Sequence, residues 1–153
     1  MKKIFLACGL LVGLFSVLNA QQGEKKTVYN GQGFLGDKIT QSGKLPVEQF
    51  KAFMNQPVYV KDSTGKEFRA YDYTFTYAER GLFQDSLGSP IVVTDYFSTT
   101  CPGGQMSQDW IQLFGDRVKP GDTAFIDQIT VIDSSGKKPT IFVAAPLKIV
   151  LTK

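Results

Sequence analysis

Arg117-Val-Lys-Pro-Gly-Asp122 is followed by an apolar run, Thr123–Ile132, then by Asp133-Ser-Ser-Gly-Lys137, then by a second apolar run, Thr140–Leu151. In order, these are a turn, a strand, a turn and a strand. Pro120-Gly121 and Ser134-Ser135-Gly136 carry turn chemistry. The second run alternates, so Ile141, Val143, Ala145, Leu147, Ile149 and Leu151 are expected on one face. Pro146 has no N–H to give a ladder, so its strand is expected at a sheet edge or at a bulge. A closing hairpin of this kind predicts a mainly β fold.

Upstream, Ser107–Phe114 reads as a short helix. Ser107 suits the cap, Asp109 the positive helix end, and Trp110 and Phe114 share a face. Before it, Ile91–Ser98 is a strand, and Thr99–Gly104 is a loop that holds Cys101. Phe68–Tyr77 alternates, with Tyr71, Tyr73, Phe75 and Tyr77 on one side. Those rings suit either a core face or a platform for stacking a sugar or peptide, and aromatic residues are common strand formers in any case. Val58–Lys61 is a short strand before the Asp62-Ser-Thr-Gly65 turn. Pro46–Asn55 predicts a first helix, opened by Pro46, with Val47, Phe50 and Met54 on one face and Pro57 beyond its end. Thr27–Thr40, rich in glycine, suggests a short strand and a loop.

The 153 residues suit one domain. Met1–Ala20 has the order of a cleaved signal peptide: Lys2 and Lys3, the apolar Ile4–Leu18, then Asn19-Ala20. Its apolar run is shorter than the ~20 residues that span a bilayer. No stable membrane span is expected after cleavage, and the product is expected to be exported, to the periplasm or beyond. Residues 21–41 form an N-terminal segment and 42–153 the folded domain. The formal charge of +3 falls to +1 once Lys2 and Lys3 are removed. A near-neutral chain gives no charge-steering reason to expect nucleic-acid binding. Cys8 lies in the signal, which leaves Cys101 as the only mature cysteine. It is then a free thiol, or the donor of an intermolecular bond.

The sequence contains no histidine. That excludes Ser-His-Asp and Cys-His nucleophilic designs, and one cysteine cannot build a zinc site. Gly31-Gln-Gly33 lacks the spacing and context of a dinucleotide loop. Asp72, Asp85, Asp95, Asp116, Asp122, Asp127 and Asp133 could supply a carboxylate pair for glycoside hydrolysis, but most fall in turns or on polar strand faces. No enzyme, cofactor or metal is expected.

With those pieces placed, the chain resembles the C-terminal domain of the GldM/PorM family, periplasmic shaft proteins of the gliding-motility and type IX secretion motor. Ser42-Gly43-Lys44-Leu45 stands at the lead-in to the first helix, where the family has a Gly-Gly-Lys-Ile-like segment. Phe68-Arg-Ala-Tyr-Asp-Tyr-Thr-Phe-Thr76 looks like its aromatic strand. Lys119-Pro-Gly-Asp-Thr-Ala-Phe-Ile-Asp-Gln-Ile129 is similar to its Gly-x-x-Val-Tyr-Phe-Glu-Asp-Ile strand. Asp133-Ser-Ser-Gly136 takes the place of Gly-Pro-Asp-Gly, and Pro146-Leu-Lys-Ile149 resembles the closing Pro-Ile-x-Phe strand. The likeness spans roughly Ser42–Leu151 and rests on structural motifs, not catalytic ones. A secretory signal is expected where the family has its membrane helix, and the likeness does not extend to the shaft's other domains.

The resemblance implies an immunoglobulin-like β-sandwich of about seven short strands with one or two short helices. It also implies a non-enzymatic, exported protein-binding module with a partner in the cell envelope. Strand addition at the Pro146 strand is the expected docking mode. The alternative is a carbohydrate- or peptide-binding domain that uses Tyr71, Tyr73 and Tyr77.

Overall fold

The closing hairpin is the spine of the sheet. In the computed structural model, which describes residues 29–153, it consists of β7 (Thr123–Asp133), β8 (Thr140–Ala145) and β9 (Leu147–Thr152). The expected signal peptide, and residues 21–28 of the N-terminal segment, lie outside the described residues. Preceding the hairpin are β1 (Gly31–Phe34), β2 (Gly43–Pro46), α1 (Val47–Met54), β3 (Tyr59–Asp62), β4 (Glu67–Arg69), β5 (Asp72–Gln84), β6 (Pro90–Pro102) and α2 (Gln108–Gly115). The described residues are mainly β and sandwich-like, with two short helices, as the sequence predicts. Among them the strands number nine, not about seven short ones, and two run to thirteen residues.

β8 and β9 form one return strand, broken at Pro146. Ile129 pairs with Ala144 and Ile126 with Leu147, so both pieces keep one register against β7. The inward face nevertheless changes at the break. Ala144 is buried before Pro146, whereas Leu147, Ile149 and Leu151 are buried after it. β7 changes face in step, from Ala124 and Ile126 to Ile129 and Val131. Between them Gln128 has φ 51°, the left-handed region, and against β5 the register slips by one residue there. This is a β-bulge, which adds a residue and so reverses the alternation. The single face expected for Ile141, Val143 and Ala145 with Leu147, Ile149 and Leu151 is therefore corrected. Ile141 is exposed, because strict period-two alternation does not survive a break.

The break lets one hairpin serve two leaves. The first half of β7 lies in the leaf β6-β5-β7-β9-β2. The second half begins the leaf β7-β8-β1-β3-β4. The β1–β8 and β2–β9 pairings are parallel and the rest antiparallel. After β4 the chain returns to the spine, where the Tyr71 N–H donates to the Thr130 carbonyl at 2.8 Å. Side chains from both leaves share one core, including Val60, Phe75, Tyr77, Ile129 and Leu147.

The helices close this core. α1 buries Phe50 and Met54. The helix begins at Val47, so Pro46 stands one place before it, at the last position of β2, and makes no side-chain cap bond. α2 is capped by Ser107, whose hydroxyl accepts from the Trp110 N–H at 3.5 Å. Its Phe114 sits among Phe75, Tyr77, Phe97 and Trp110, with ring centroids 4.8–6.0 Å away. Each such pair adds about 0.5–1.5 kcal/mol beyond area burial. Trp110 stacks on Phe114, as its place on the apolar face predicts.

Two turns give direct tests. Gly104 has φ 68°, and a Cβ there would overlap the Ala70 carbonyl oxygen. Gly104→Ala is expected to cost about 2–4 kcal/mol in urea unfolding, through left-handed strain and the overlap together. At the β7–β8 turn, Asp133 accepts from the Ser135 hydroxyl and N–H, and from Lys66 at 3.0 Å. The Ser135 hydroxyl first, with these other partners, holds its carboxyl down to about 2, below the ordinary 3.8. The folded value is the lower one, so the stabilisation is present above about pH 4 and is lost as pH falls through about 2. Carbon NMR titration should place the Asp133 midpoint near 2, and Lys66→Ala should raise it.

Candidate functional site

The feature of the surface that most needs explaining is an arm built from β5 and β6. The two strands pair along all thirteen residues, Asp72↔Pro102 through Gln84↔Pro90. β7 covers β5 only from Asp72 to Ala78. Glu79–Gln84 and Pro90–Asp95 therefore project beyond the sheet as a two-stranded ribbon. An isolated ribbon is marginal in water, so this one must be fastened.

It is fastened at both ends. At the tip, the Asp85 carboxylate accepts from the N–H groups of Leu87 and Ser89 at 2.9 and 2.8 Å. Gly88, at φ 80°, completes the turn. At the base, Asp122 of the Lys119-Pro-Gly-Asp122 turn is fully buried. It accepts from the Arg80 N–H at 2.8 Å, and the Tyr77 hydroxyl donates to its other oxygen. The carboxylate thus takes the next ladder position on β5, just beyond the end of β7. Burial first, then the Asp122 charge, push the Tyr77 hydroxyl far above its ordinary value, so it stays a donor. Leu151 donates to the Asp122 carbonyl at 2.9 Å, which ties the turn to β9.

The opposite face is pinned by charge. Glu79 accepts from Arg117 and, at 3.1 Å, from Lys119. The Arg117 guanidinium lies 4.6 Å from the Phe97 ring centroid. Arg117, followed by Lys119, holds the Glu79 carboxyl below its usual range, after burial has pushed the other way.

Beyond these fastenings the arm is apolar on both sides. Leu82, Val92 and Tyr96 face one way, Phe83, Ile91 and Val93 the other, and all six are exposed. Leu87 at the tip is 88% exposed. The outer edge is open as well, since β6 pairs only with β5. The Asp85 N–H donates to Ser89 and the Arg80 N–H turns away, toward the β7 side. By the antiparallel alternation, Val92, Thr94, Tyr96, Ser98 and Thr100 then turn their own N–H and C=O groups outward. Edge strands are normally guarded by lysine, an internal proline or a bulge. β6 has proline only at its two ends, no lysine, and Asp95 as its single charge.

The residues singled out from the sequence fall elsewhere. Tyr71 is 56% exposed at the β4–β5 junction, but Tyr73 and Tyr77 are buried, so the three rings form no common exposed face. Pro146 is itself exposed, yet its strand is not an edge, contrary to the expected docking mode. β8 lies between β7 and β1, and β9 between β7 and β2. Parallel pairing with β1 at Ala144 and Ala145 and with β2 from Ile149 to Thr152 flanks Pro146 on both sides and leaves only Thr140–Phe142 uncovered, and Pro146 sits at the break instead. Cys101 belongs to β6, not to a loop, and is 2% exposed. Burial pushes its thiol up, with the Tyr73 hydroxyl beside it, so it presents no sulfur to a partner.

A cleft of about 470 Å³ opens at Tyr29–Gln32, Lys61–Ser63 and Ala145. Its charged groups are already engaged: Lys61 lies 3.3 Å from Glu67, and Asp62 accepts from Thr64 and Lys66. Among the described residues no group of three or more Cys, Asp or Glu is placed to hold a metal, and no helix is long and apolar enough to cross a membrane. Compared with known proteins, the chain matches no family model, no curated protein and no solved structure.

In the sequence, Gly81–Leu87 reads only as a strand end and Ile91–Ser98 as a strand, so the arm is not drawn from them. The signal was present in Leu82-Phe83 and Ile91-Val-Val93, apolar at successive positions and hence on both faces. Such runs suit a strand covered on both sides, and here neither side is covered.

Tyr77→Phe is expected to leave the buried Asp122 carboxylate short of a donor, costing about 1–3 kcal/mol in urea unfolding. Amide exchange at Arg80 should quicken with it, because the same carboxylate holds that N–H.

Proposed function

We propose that this chain is an exported, non-enzymatic module that binds a protein of the cell envelope. The projecting arm carries this reading. A ribbon fastened by carboxylates at tip and base, and then left apolar on two faces and open along the whole of β6, is arranged to be covered by another polypeptide. A large exposed apolar surface is costly in water, whereas strand addition offers it both backbone hydrogen bonds and side-chain burial.

The sequence resemblance to the GldM/PorM C-terminal domain points to the type IX secretion or gliding apparatus as the place where the partner is found. The module would serve there as an accessory. The carbohydrate or peptide platform on Tyr71, Tyr73 and Tyr77 has no matching surface, because two of its rings lie in the core.

The test is affinity recovery of the tagged protein from its own cells after cross-linking, followed by mass spectrometry. A secretion or gliding component is expected with the wild type and absent with Leu82→Lys/Val92→Lys, whose changes lie on the exposed arm. Recovery that is equal for both would overturn the arm as the docking surface. Recovery of no envelope protein, in a sample where a known complex of the same apparatus is recovered, would overturn the accessory role.

A further inference from the structure

We infer that the first partner of the β5–β6 arm is a second copy of this chain, joined edge to edge through antiparallel pairing of β6 with β6. This rests on the reading of the arm as a protein-docking surface and names a second copy as the occupant of its β6 edge, which leaves the apolar faces of the arm to the envelope protein. Three observations lead to it.

The first is where the apolar surface lies. Of the twelve large hydrophobic residues exposed among the described residues, seven belong to the arm. The others, such as Ile39 and Ile141, are scattered singly and form no receptor for it. On this chain the surface best matched to an arm is therefore another arm.

The second is placement. Four of the seven, Ile91, Val92, Val93 and Tyr96, lie on β6 itself, so an edge-to-edge pair brings them beside their counterparts along the seam. Leu82, Phe83 and Leu87 lie on β5 and at the tip, away from that seam.

The third is register. Outward N–H and C=O groups recur at Val92, Thr94, Tyr96, Ser98 and Thr100, so a two-fold axis can pass through Thr94. That pairing sets Val92 opposite Tyr96 and Ile91 opposite Phe97 of the other copy. Both are cross-strand combinations of a β-branched and an aromatic residue, a favourable kind. Val93 then faces Asp95, whereas the neighbouring register centred on Asp95 would oppose two carboxylates and is disfavoured. The interface is isologous and closes on itself, so it yields a dimer and not a filament.

Sedimentation of the protein recovered after export, at micromolar concentration, is expected to give twice the monomer mass. Thr94→Pro removes an outward N–H that the β5 pairing does not use, so it should give a folded monomer. Val92→Lys/Tyr96→Lys should do the same by charge. Hydrogen exchange supplies a readout that does not depend on mass. The amides of Val92, Thr94, Tyr96 and Ser98 should be protected in the wild type, and those of Val92, Tyr96 and Ser98 should exchange freely in Thr94→Pro, while Phe75 and Tyr77 stay protected. A dimer that persists in both variants, with these amides unprotected, would overturn the β6 pairing. A wild-type monomer whose arm still captures an envelope protein would overturn self-pairing and leave the binding reading standing. A wild-type monomer with no arm-dependent capture would overturn both.

Discussion

One hairpin has to face two ways, and the rest of the structure follows from how it does so. β7 and its return strand keep a single register from end to end, yet the buried face changes between Ile126 and Ile129, and again between Ala144 and Leu147. Two adjacent irregularities produce the change: Gln128 in the left-handed region on one strand, Pro146 on the other. A regular hairpin would bury one face and build one leaf. The bulged one feeds β5 and β9 on one side of the break and β8 on the other, so two leaves can enclose a common core. β1 and β2 then add in parallel to the two halves of the return strand, which closes the edge that Pro146 alone would have left open.

The same geometry sets where the arm begins. β7 starts at Thr123, so its pairing with β5 stops at Ala78. The next β5 amide on that side, Arg80, would meet nothing. Asp122, the residue just before β7, takes the vacant ladder position with a carboxylate in place of a carbonyl. The carboxylate is fully buried, and a buried charge without donors is costly. Tyr77 and Arg80 supply those donors from the arm's own base. The arm is thus held by the same interaction that makes Asp122 tolerable in the core. Glu79 with Arg117 and Lys119 repeats the fastening on the other face, in a wetter setting where each pair is worth less.

Legibility in the sequence tracked locality. The turn residues at Asp62–Gly65 and Asp133–Gly136, the Ser107 cap, and the apolar faces of the two helices act within a few positions of themselves, and each was readable directly. The aromatic strand was also visible, and its reading as a core face holds for Tyr73, Phe75 and Tyr77. What alternation could not carry was the face change at Pro146, because a proline there signals an edge or a bulge without deciding between them, and the left-handed Gln128 that goes with it lies on the partner strand. Nor could it show whether a strand is an edge. That depends on pairings between segments a hundred residues apart, such as β2 with β9. Asp122 looked like an ordinary turn aspartate, because its partners Tyr77 and Arg80 lie more than forty positions away.

An unguarded edge strand is an aggregation hazard, and proteins with no use for one suppress it. Among the described residues the other open edges are shorter: β2 has four residues and β4 three, β5 is uncovered only beyond Arg80, and β8 only before Val143. β6 has thirteen, no lysine and no interruption, and it borders apolar side chains on both faces. Its one charge, Asp95, is not opposite itself in a pairing centred on Thr94, but it would be in the adjacent register. A single carboxylate in that position does little to repel a partner and a good deal to choose its alignment. The base of the arm is rigidly fastened while its far half is bare, so the ordering cost of presenting the edge is already met within the monomer. Preorganisation of that kind suits the proposed docking role better than a loose hairpin would, and here it rests on Asp122, Tyr77 and Glu79 at the base of the arm.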